Sequence, residues 1–373
     1  VKGINYADLK ALIEENSWTQ NKQGVDANGR MMQAWLEALG MTTTVYYREN
    51  IGNHLLFSST KIQGLPKLLL LGHLDTVFPP HSFEGFRENE EWIYGPGSCD
   101  MKGGNFVALS ALRHVFAEHG QLCNVDFLLV SDEETGSDDS KAITQELATR
   151  YDACLDFEAA GEDHEVVNGR KGVATYCVEL NGVAAHAGNQ YSQGKNANLA
   201  AAKLLLTLTE LTNLEQGTTI NVGKIKGGIS ANTISPHAQL MVEARFTQTE
   251  EQRRVLDAIP ALIHQHGIEG VSASFSGGLQ RDVMTPSTEQ QALIDKLSHL
   301  LGYPLKTEQR GGVSDANVTS GAGLPTLDGF GPYGDGDHTE FERASKRSFC
   351  RRIEEVTAII RHYSPKQNTI NSQ

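Results

Sequence analysis

The stretch that most constrains this chain is Lys67–Pro79, KLLLLGHLDTVFP. Leu68–Leu71 is an unbroken apolar run closed by Gly72, which predicts a buried strand opening into a loop. Just past it stand His73 and Asp75, whose side chains point the same way if the backbone stays extended. Such a pair suits a metal-binding histidine whose second ring nitrogen is fixed by a carboxylate, although by itself it reads equally well as a polar surface loop.

The same event repeats along the chain. A strand predicted over Val125–Val130 runs into Ser131-Asp-Glu-Glu-Thr-Gly-Ser137, and one around Cys154–Phe157 ends at Glu158. Helices predicted over Asn105–His119 and Ser140–Thr149 fall between these strands, and Asn28–Leu39 forms an amphipathic helix before them. Strands alternating with helices predict an α/β domain with a mixed, largely parallel sheet and flanking helices, whose ligands gather outside the carboxyl ends of the strands.

From about Gly172 the texture changes to alternating strands. Val173–Leu180, Thr218–Lys226, His237–Phe246 and Val271–Ser276, with helices over Asn196–Thr212 and Glu250–His266, give the order β-α-β-β-α-β of a ferredoxin-like α+β domain. Helix Ser287–Leu301 then resumes the first texture, with Gly311–Asn317 and Pro325–His338 as further strand-end loops. The expected organisation is therefore 1–171 and 285–373 as one domain, with 172–284 inserted into it. A closing helix over Ala344–His362 precedes a polar tail, Ser364–Gln373, expected to fray.

A length of 373 residues accommodates two such domains. The charge of −14, from 32 basic and 46 acidic residues, argues against nonspecific binding to nucleic acid, which needs basic density. No apolar run approaches the ~20 residues of a membrane span. The opening VKGINYADLKALIEENSW carries neither a basic leader nor an apolar segment with a cleavage site, so a cytoplasmic location is expected. The five cysteines are odd in number and widely spaced beside apolar residues, as buried reduced thiols would be.

The strand ends offer His73, Asp100, Glu134, Glu158 and His338 as candidate metal ligands, with Glu133 beside them. Two histidines and three carboxylates would serve two zinc ions if one carboxylate bridges, and the charges then nearly balance. Without cations, so many converging carboxylates would repel and hold protons. Cobalt or manganese would suit the same donors.

The motifs GHLDTVFP (72–79), GPGSCDMKGG (95–104), SDEETGS (131–137), Glu158, AHAG (185–188), GGVSDAN (311–317) and the late His338 together resemble the M20 metallopeptidases over nearly the whole chain. Within that family the resemblance is to the glutamate carboxypeptidase branch (the carboxypeptidase G type), with acetylornithine deacetylase and succinyl-diaminopimelate desuccinylase as neighbours. The resemblance implies a di-zinc peptidase domain interrupted by a lid that mediates homodimerisation. It assigns one ion to His73, Asp100 and Glu158 and the other to Asp100, Glu134 and His338, with Asp100 bridging. It makes Glu133 the general base and Asp75 the residue that orients His73, and it implies a cis bond at Asp100–Met101. His186 would stabilise the oxyanion, and Asn232, Arg245 and Arg281 would bind substrate.

Arg245 lies on the strand face opposite Leu240, Val242, Ala244 and Phe246, so packing does not need it and it is free to bind a carboxylate. The implied activity is hydrolysis of an amide bond that releases a C-terminal amino acid, glutamate above all. Its substrate would be a small peptide or N-acyl amino acid with a free carboxylate. An N-acyl amino-acid deacylase is the alternative on the same metal core. A non-enzymatic descendant would be expected to have lost ligands, and none of the five positions is empty here.

Overall fold

The computed structural model describes residues 3–366. The chain forms two compact units. The first contains the chain up to Gly169, Pro286–Arg310 and everything described from Ser314 on; the second contains Arg170–Thr285 and Gly311–Val313. Gly311–Val313 thus groups with the second unit, whereas the sequence reading places it among the loops of the first.

The first unit is built on a six-stranded sheet in the spatial order Thr42–Tyr46, His54–Ser58, Val125–Val130, Leu68–His73, Ala153–Asp156 and Thr326–Leu327. The Leu68–His73 strand is central and parallel to both neighbours, while the pairings of His54–Ser58 are antiparallel. Successive side chains of a strand face opposite ways, and both directions are apolar here. Leu68, Leu70, Phe127, Leu129 and Leu155 enter a large core with helices Ala7–Glu14, Lys102–His119, Thr288–Leu301 and Lys346–Tyr363. Leu69, Leu71, Leu128, Val130 and Cys154 enter a smaller one with Leu147, Ala148 and Leu324. Burial on both faces explains why the sequence shows LLLL rather than an alternating pattern.

Two helices begin earlier than their apolar periodicity indicates. The Lys22–Glu37 helix starts where the Asn21 side chain accepts the Gly24 N–H at 3.3 Å, satisfying a donor that the first turn leaves open. The Lys102–His119 helix opens on Gly103 and Gly104, and a Cβ at Gly104 would lie 1.9 Å from the Phe157 carbonyl oxygen. Only glycine lets the helix approach that strand end so closely.

A second, antiparallel sheet of very short strands orders Gly334–Asp335, Arg343–Ser345, Trp92–Tyr94 and Arg87–Glu88. It draws the 334–345 loop onto the chain leading into Gly95–Asp100. The tail expected to fray from Ser364 is ordered at its start: Ser364 is buried and its Oγ accepts the Cys123 N–H at 2.8 Å. Residues 367–373 lie outside the described residues. All five cysteines are free; Cys99, Cys123 and Cys154 are buried, whereas Cys177 and Cys350 are only half-buried.

The second unit is a four-stranded antiparallel sheet ordered Thr219–Gly227, His237–Phe246, Gly172–Asn181, Ser272–Arg281. Ala174, Tyr176, Val178, Leu180, Leu240, Val242, Ala244 and Phe246 turn to one face and form a core with helices Ala197–Thr209 and Thr249–His264. That order and this one-sided packing are ferredoxin-like. Among the described residues, no helix is long and apolar enough to cross a membrane.

Candidate metal centre

Strand ends of the first unit bring six side chains together. His73 is the last residue of its strand, Glu133 and Glu134 open a short 3-10 turn after Val130, Glu158 follows the Ala153–Asp156 strand, and Asp100 precedes the Lys102–His119 helix. His338 lies in the loop of the small sheet with a left-handed φ of 60°. The Asp100–Met101 peptide bond is cis.

Asp100 stands between the two imidazoles. Its Oδ1 is 3.1 Å from His73 Nε2 and its Oδ2 is 3.2 Å from His338 Nε2. Glu134 Oε2 lies 3.2 Å from the same His338 nitrogen, and Glu158 Oε1 lies 3.5 Å from His73 Nε2. Ligating atoms of His73, Asp100 and Glu134 fall within 4.8 Å of one another, and so do those of His73, Glu133 and Glu158.

Buried neighbours fix the first of these histidines. His73 Nδ1 is 2.9 Å from the Asp75 carbonyl oxygen and 3.4 Å from Asp75 Oδ1, which leaves Nε2 facing the carboxylates. Asp75 Oδ2 accepts from Thr19 Oγ1 at 2.7 Å and from the Glu134 N–H at 3.2 Å. Asn105 Nδ2 donates to the His73 carbonyl at 2.7 Å. Asp75 therefore touches the backbone of one candidate ligand and the side chain of another.

The electrostatics are those of a site with more carboxylate than it can ionise unaided. Burial, then repulsion by Asp100, pushes Glu134 up to about 8 and Glu158 up to about 7. Burial also drives Glu133 well above the carboxylate range, with Glu158, Asp315 and Glu134 adding to it against the pull of His73. For Asp100 burial acts upward too, but hydrogen bonds and charge from His338 and His73 outweigh it and hold the carboxyl well below its usual range. Hydrogen bonds to Asp100 and Glu134 push His338 up to about 11. Divalent cations among these oxygen and nitrogen donors would relieve that repulsion, so the donor set fits metal ions.

Three participants carry no clear sequence signal. Thr19 acts on Asp75 from 56 residues away, and Asn105 shows only as a polar residue on an apolar helix face. Glu342 is 1 % exposed and accepts the N–H groups of Gly97, Cys99 and Asp100. Burial and repulsion by Asp100 push it up to about 7 against those three bonds.

The remaining candidates lie in the second unit. His186 and Asn232 are exposed neighbours: His186 bridges to Thr233, and the Ala187 N–H donates to the Asn232 carbonyl at 2.9 Å. His186 Nδ1 accepts the Gly188 and Asn189 N–H groups, both at 3.1 Å, so its Nε2 carries the proton as a donor. Arg245 and Arg281 are both in register with Val173, one on each neighbouring strand, and so stand level across the sheet. Arg281 is fully buried. Arg245 is not free, as its strand phase alone suggests. Glu243, two residues back and hence on the same face, accepts from its Nε at 2.7 Å and Nη2 at 3.3 Å, and Nη1 donates to the Gly311 carbonyl at 3.0 Å.

A family model for peptidase family M20/M25/M40 matches residues 69–362. The chain belongs to that family. This M20 chain is 28 % identical over 343 residues to carboxypeptidase G2 of Pseudomonas sp. strain RS-16, covering 89 % of itself and 82 % of that protein. It is also 28 % identical over 341 residues to the succinyl-diaminopimelate desuccinylase of Xylella fastidiosa strain M12, with 85 % and 87 % covered. Its fold is similar to that of aminopeptidase PepT from Bacillus cereus ATCC 10987, with a TM-score of 0.79 at 22 % identity, covering 95 % and 97 % of the two chains. The M20 chain is thus a metallohydrolase related in general to the carboxypeptidase and desuccinylase branches, and its candidate centre suits hydrolytic chemistry on a small peptide or acyl amino acid.

Proposed function

We propose that this chain hydrolyses an amide bond with two zinc ions and releases a C-terminal amino acid, glutamate above all. The observation that carries the reading is the gathering of His73, Asp100, Glu134, Glu158 and His338 in one unit, with Glu133 beside His73 and Glu158. His73, Asp100 and Glu158 would hold one ion, and Asp100, Glu134 and His338 the other. Bound there, the ions would polarise a carbonyl and make water acidic enough to attack at neutral pH. Glu133 accepts the proton of the attacking water and delivers it to the leaving amine. Asp75 keeps His73 in the tautomer that presents Nε2 inward. His186 donates its Nε2–H to the developing oxyanion, and Asn232 beside it binds substrate.

Equal identity to a carboxypeptidase and a desuccinylase keeps an N-acyl amino-acid deacylase as the second reading. A panel of folyl- and N-acyl-glutamates, C-terminal dipeptides, acetylornithine and succinyl-diaminopimelate, assayed with zinc, cobalt and manganese, separates them. Release of glutamate from the first class is expected. Turnover confined to acetylornithine or the succinyl compound would move the chain to the deacylases.

The arginines are proposed to read the free carboxylate. Both guanidinium groups already have partners in this structure, and Arg281 has no exposed surface, so a substrate carboxylate reaches either one only by displacing what it now meets. Arg245 contributes only if the substrate displaces Glu243. For matched substrates ending in Glu and Gln, kcat/KM should favour Glu, and Arg245→Ala or Arg281→Ala should lower it by roughly tenfold or more. Equal rates for the two substrates in the wild type would end the acidic-residue reading.

A homodimer formed through the second unit is also proposed. Its Thr219–Gly227 strand ends the sheet, and Leu206, Leu214 and Ile225 are more than half exposed. An open strand edge with apolar neighbours suits pairing with a second copy. Light scattering should give a dimer mass for the wild type and a monomer mass for the double variant Leu206→Glu/Ile225→Lys. A wild-type monomer at micromolar concentration would exclude the arrangement.

A further inference from the structure

We infer that Glu342 is a positioning residue of the metal centre: it grips the turn that carries Asp100 and so fixes Asp100 relative to His338. The inference rests on the metal-centre reading above. Glu342 Oε2 accepts the Gly97 N–H at 2.9 Å, while Oε1 accepts those of Cys99 at 3.0 Å and Asp100 at 3.1 Å. Its own carbonyl accepts the Gly95 N–H at 3.3 Å. One residue thus takes four backbone donors from a six-residue turn, Gly95–Asp100.

Glu342 also belongs to the loop that carries His338. Its N–H donates to the Thr339 carbonyl at 3.2 Å, and the flanking strands Gly334–Asp335 and Arg343–Ser345 pair with each other. The contacts close a ring. It runs from His338 along the loop to Glu342, across the hydrogen bond to the Asp100 N–H, and through the Asp100 side chain back to His338 Nε2 at 3.2 Å. Within such a ring neither ligand shifts without breaking one of its hydrogen bonds.

The chemistry of the turn asks for a carboxylate. Successive N–H groups converging on one point make a small anion-binding nest, and a carboxylate has acceptor sites for all three. Gly97 has φ +78°, and a Cβ there would come within 2.8 Å of the Lys102 side chain. Glutamine keeps the shape of Glu342 but has one acceptor oxygen, and its amide would set a donor against one of the backbone donors.

The test compares wild type and Glu342→Gln by zinc affinity against a chromophoric chelator, by the visible spectrum of the cobalt-loaded protein, and by thermal unfolding of both metal-free proteins. Loss of a hydrogen bond behind a ligand weakens metal binding by roughly 10–100-fold. The expected result is a loss of that order with an altered cobalt spectrum, a lowered metal-free unfolding midpoint in a protein that still folds, and a fall in kcat rather than a rise in KM. Wild-type zinc affinity and spectrum in the variant would overturn the role of Glu342 while leaving the metal centre intact. A wild-type protein that binds no zinc would instead overturn the metal centre itself. If the variant does not fold, amide hydrogen exchange in the metal-free wild type decides. Slow exchange at Gly97, Cys99 and Asp100 supports the grip, and exchange at the rate of an open loop refutes it.

Discussion

Asp100→Asn should give a folded protein that binds less than one zinc per chain and loses about 10³-fold or more in kcat/KM. The magnitude follows from a Lewis-acid contribution of several kcal/mol, converted at about 1.4 kcal/mol per tenfold. Asp100 is the carboxylate that meets both imidazoles, with one oxygen at 3.1 Å from His73 and the other at 3.2 Å from His338. Hydrogen bonds from those histidines keep it ionised while Glu134 and Glu158 are pushed up. Asparagine removes the charge and turns an N–H₂ toward one of the two imidazole nitrogens, so the loss falls on both ligand sets at once. Metal content by mass spectrometry after dialysis, with circular dichroism to check the fold, reads the effect directly. Two ions per chain and near-native activity in this variant would mean that Asp100 is not shared.

Much of this geometry can be picked out of the chain because it arises from a repeated local event. An apolar run buried on both faces must end where the sheet ends, and the polar residue that follows lands at the sheet's carboxyl edge. His73, Glu133, Glu134 and Glu158 all follow such runs, and the structure gathers them. The second unit is legible for a related reason. Its His237–Phe246 strand alternates strictly, and Leu240, Val242, Ala244 and Phe246 all turn inward, as period two requires.

What the sequence hides is pairing between distant short segments. Trp92–Tyr94 and Arg343–Ser345 are three-residue strands some 250 positions apart, too short for any periodicity to show. Their pairing is what delivers Glu342 to the Asp100 turn, so Glu342 could not be found by local pattern. Arg245 marks a different limit. Its face follows from strand phase, but the same phase puts Glu243 beside it, and a half-exposed guanidinium next to a carboxylate pairs with it. The signal was present in the spacing of two residues.

Glu133→Gln is the second large effect, and it separates two roles that the geometry leaves adjacent. Glu133 is a candidate ligand by distance, grouped with His73 and Glu158, while Glu134 is grouped with His73 and Asp100. The assignment proposed here gives the metal to Glu134, whose Oε2 also meets His338, and leaves Glu133 to take the proton of the attacking water. Burial, reinforced by its acidic neighbours, drives Glu133 well above the ordinary carboxylate range, which brings its basicity closer to what proton transfer near neutral pH needs. Glutamine keeps the volume and one oxygen but cannot receive the proton. The expected variant binds both ions with wild-type affinity, keeps KM within a few-fold, and loses about 10²–10⁴ in kcat, the usual reach of a positioned base. Metal titration and steady-state kinetics on the same preparation decide it. Loss of one ion together with activity would make Glu133 a ligand, and near-native turnover with both ions bound would remove it from the chemistry altogether.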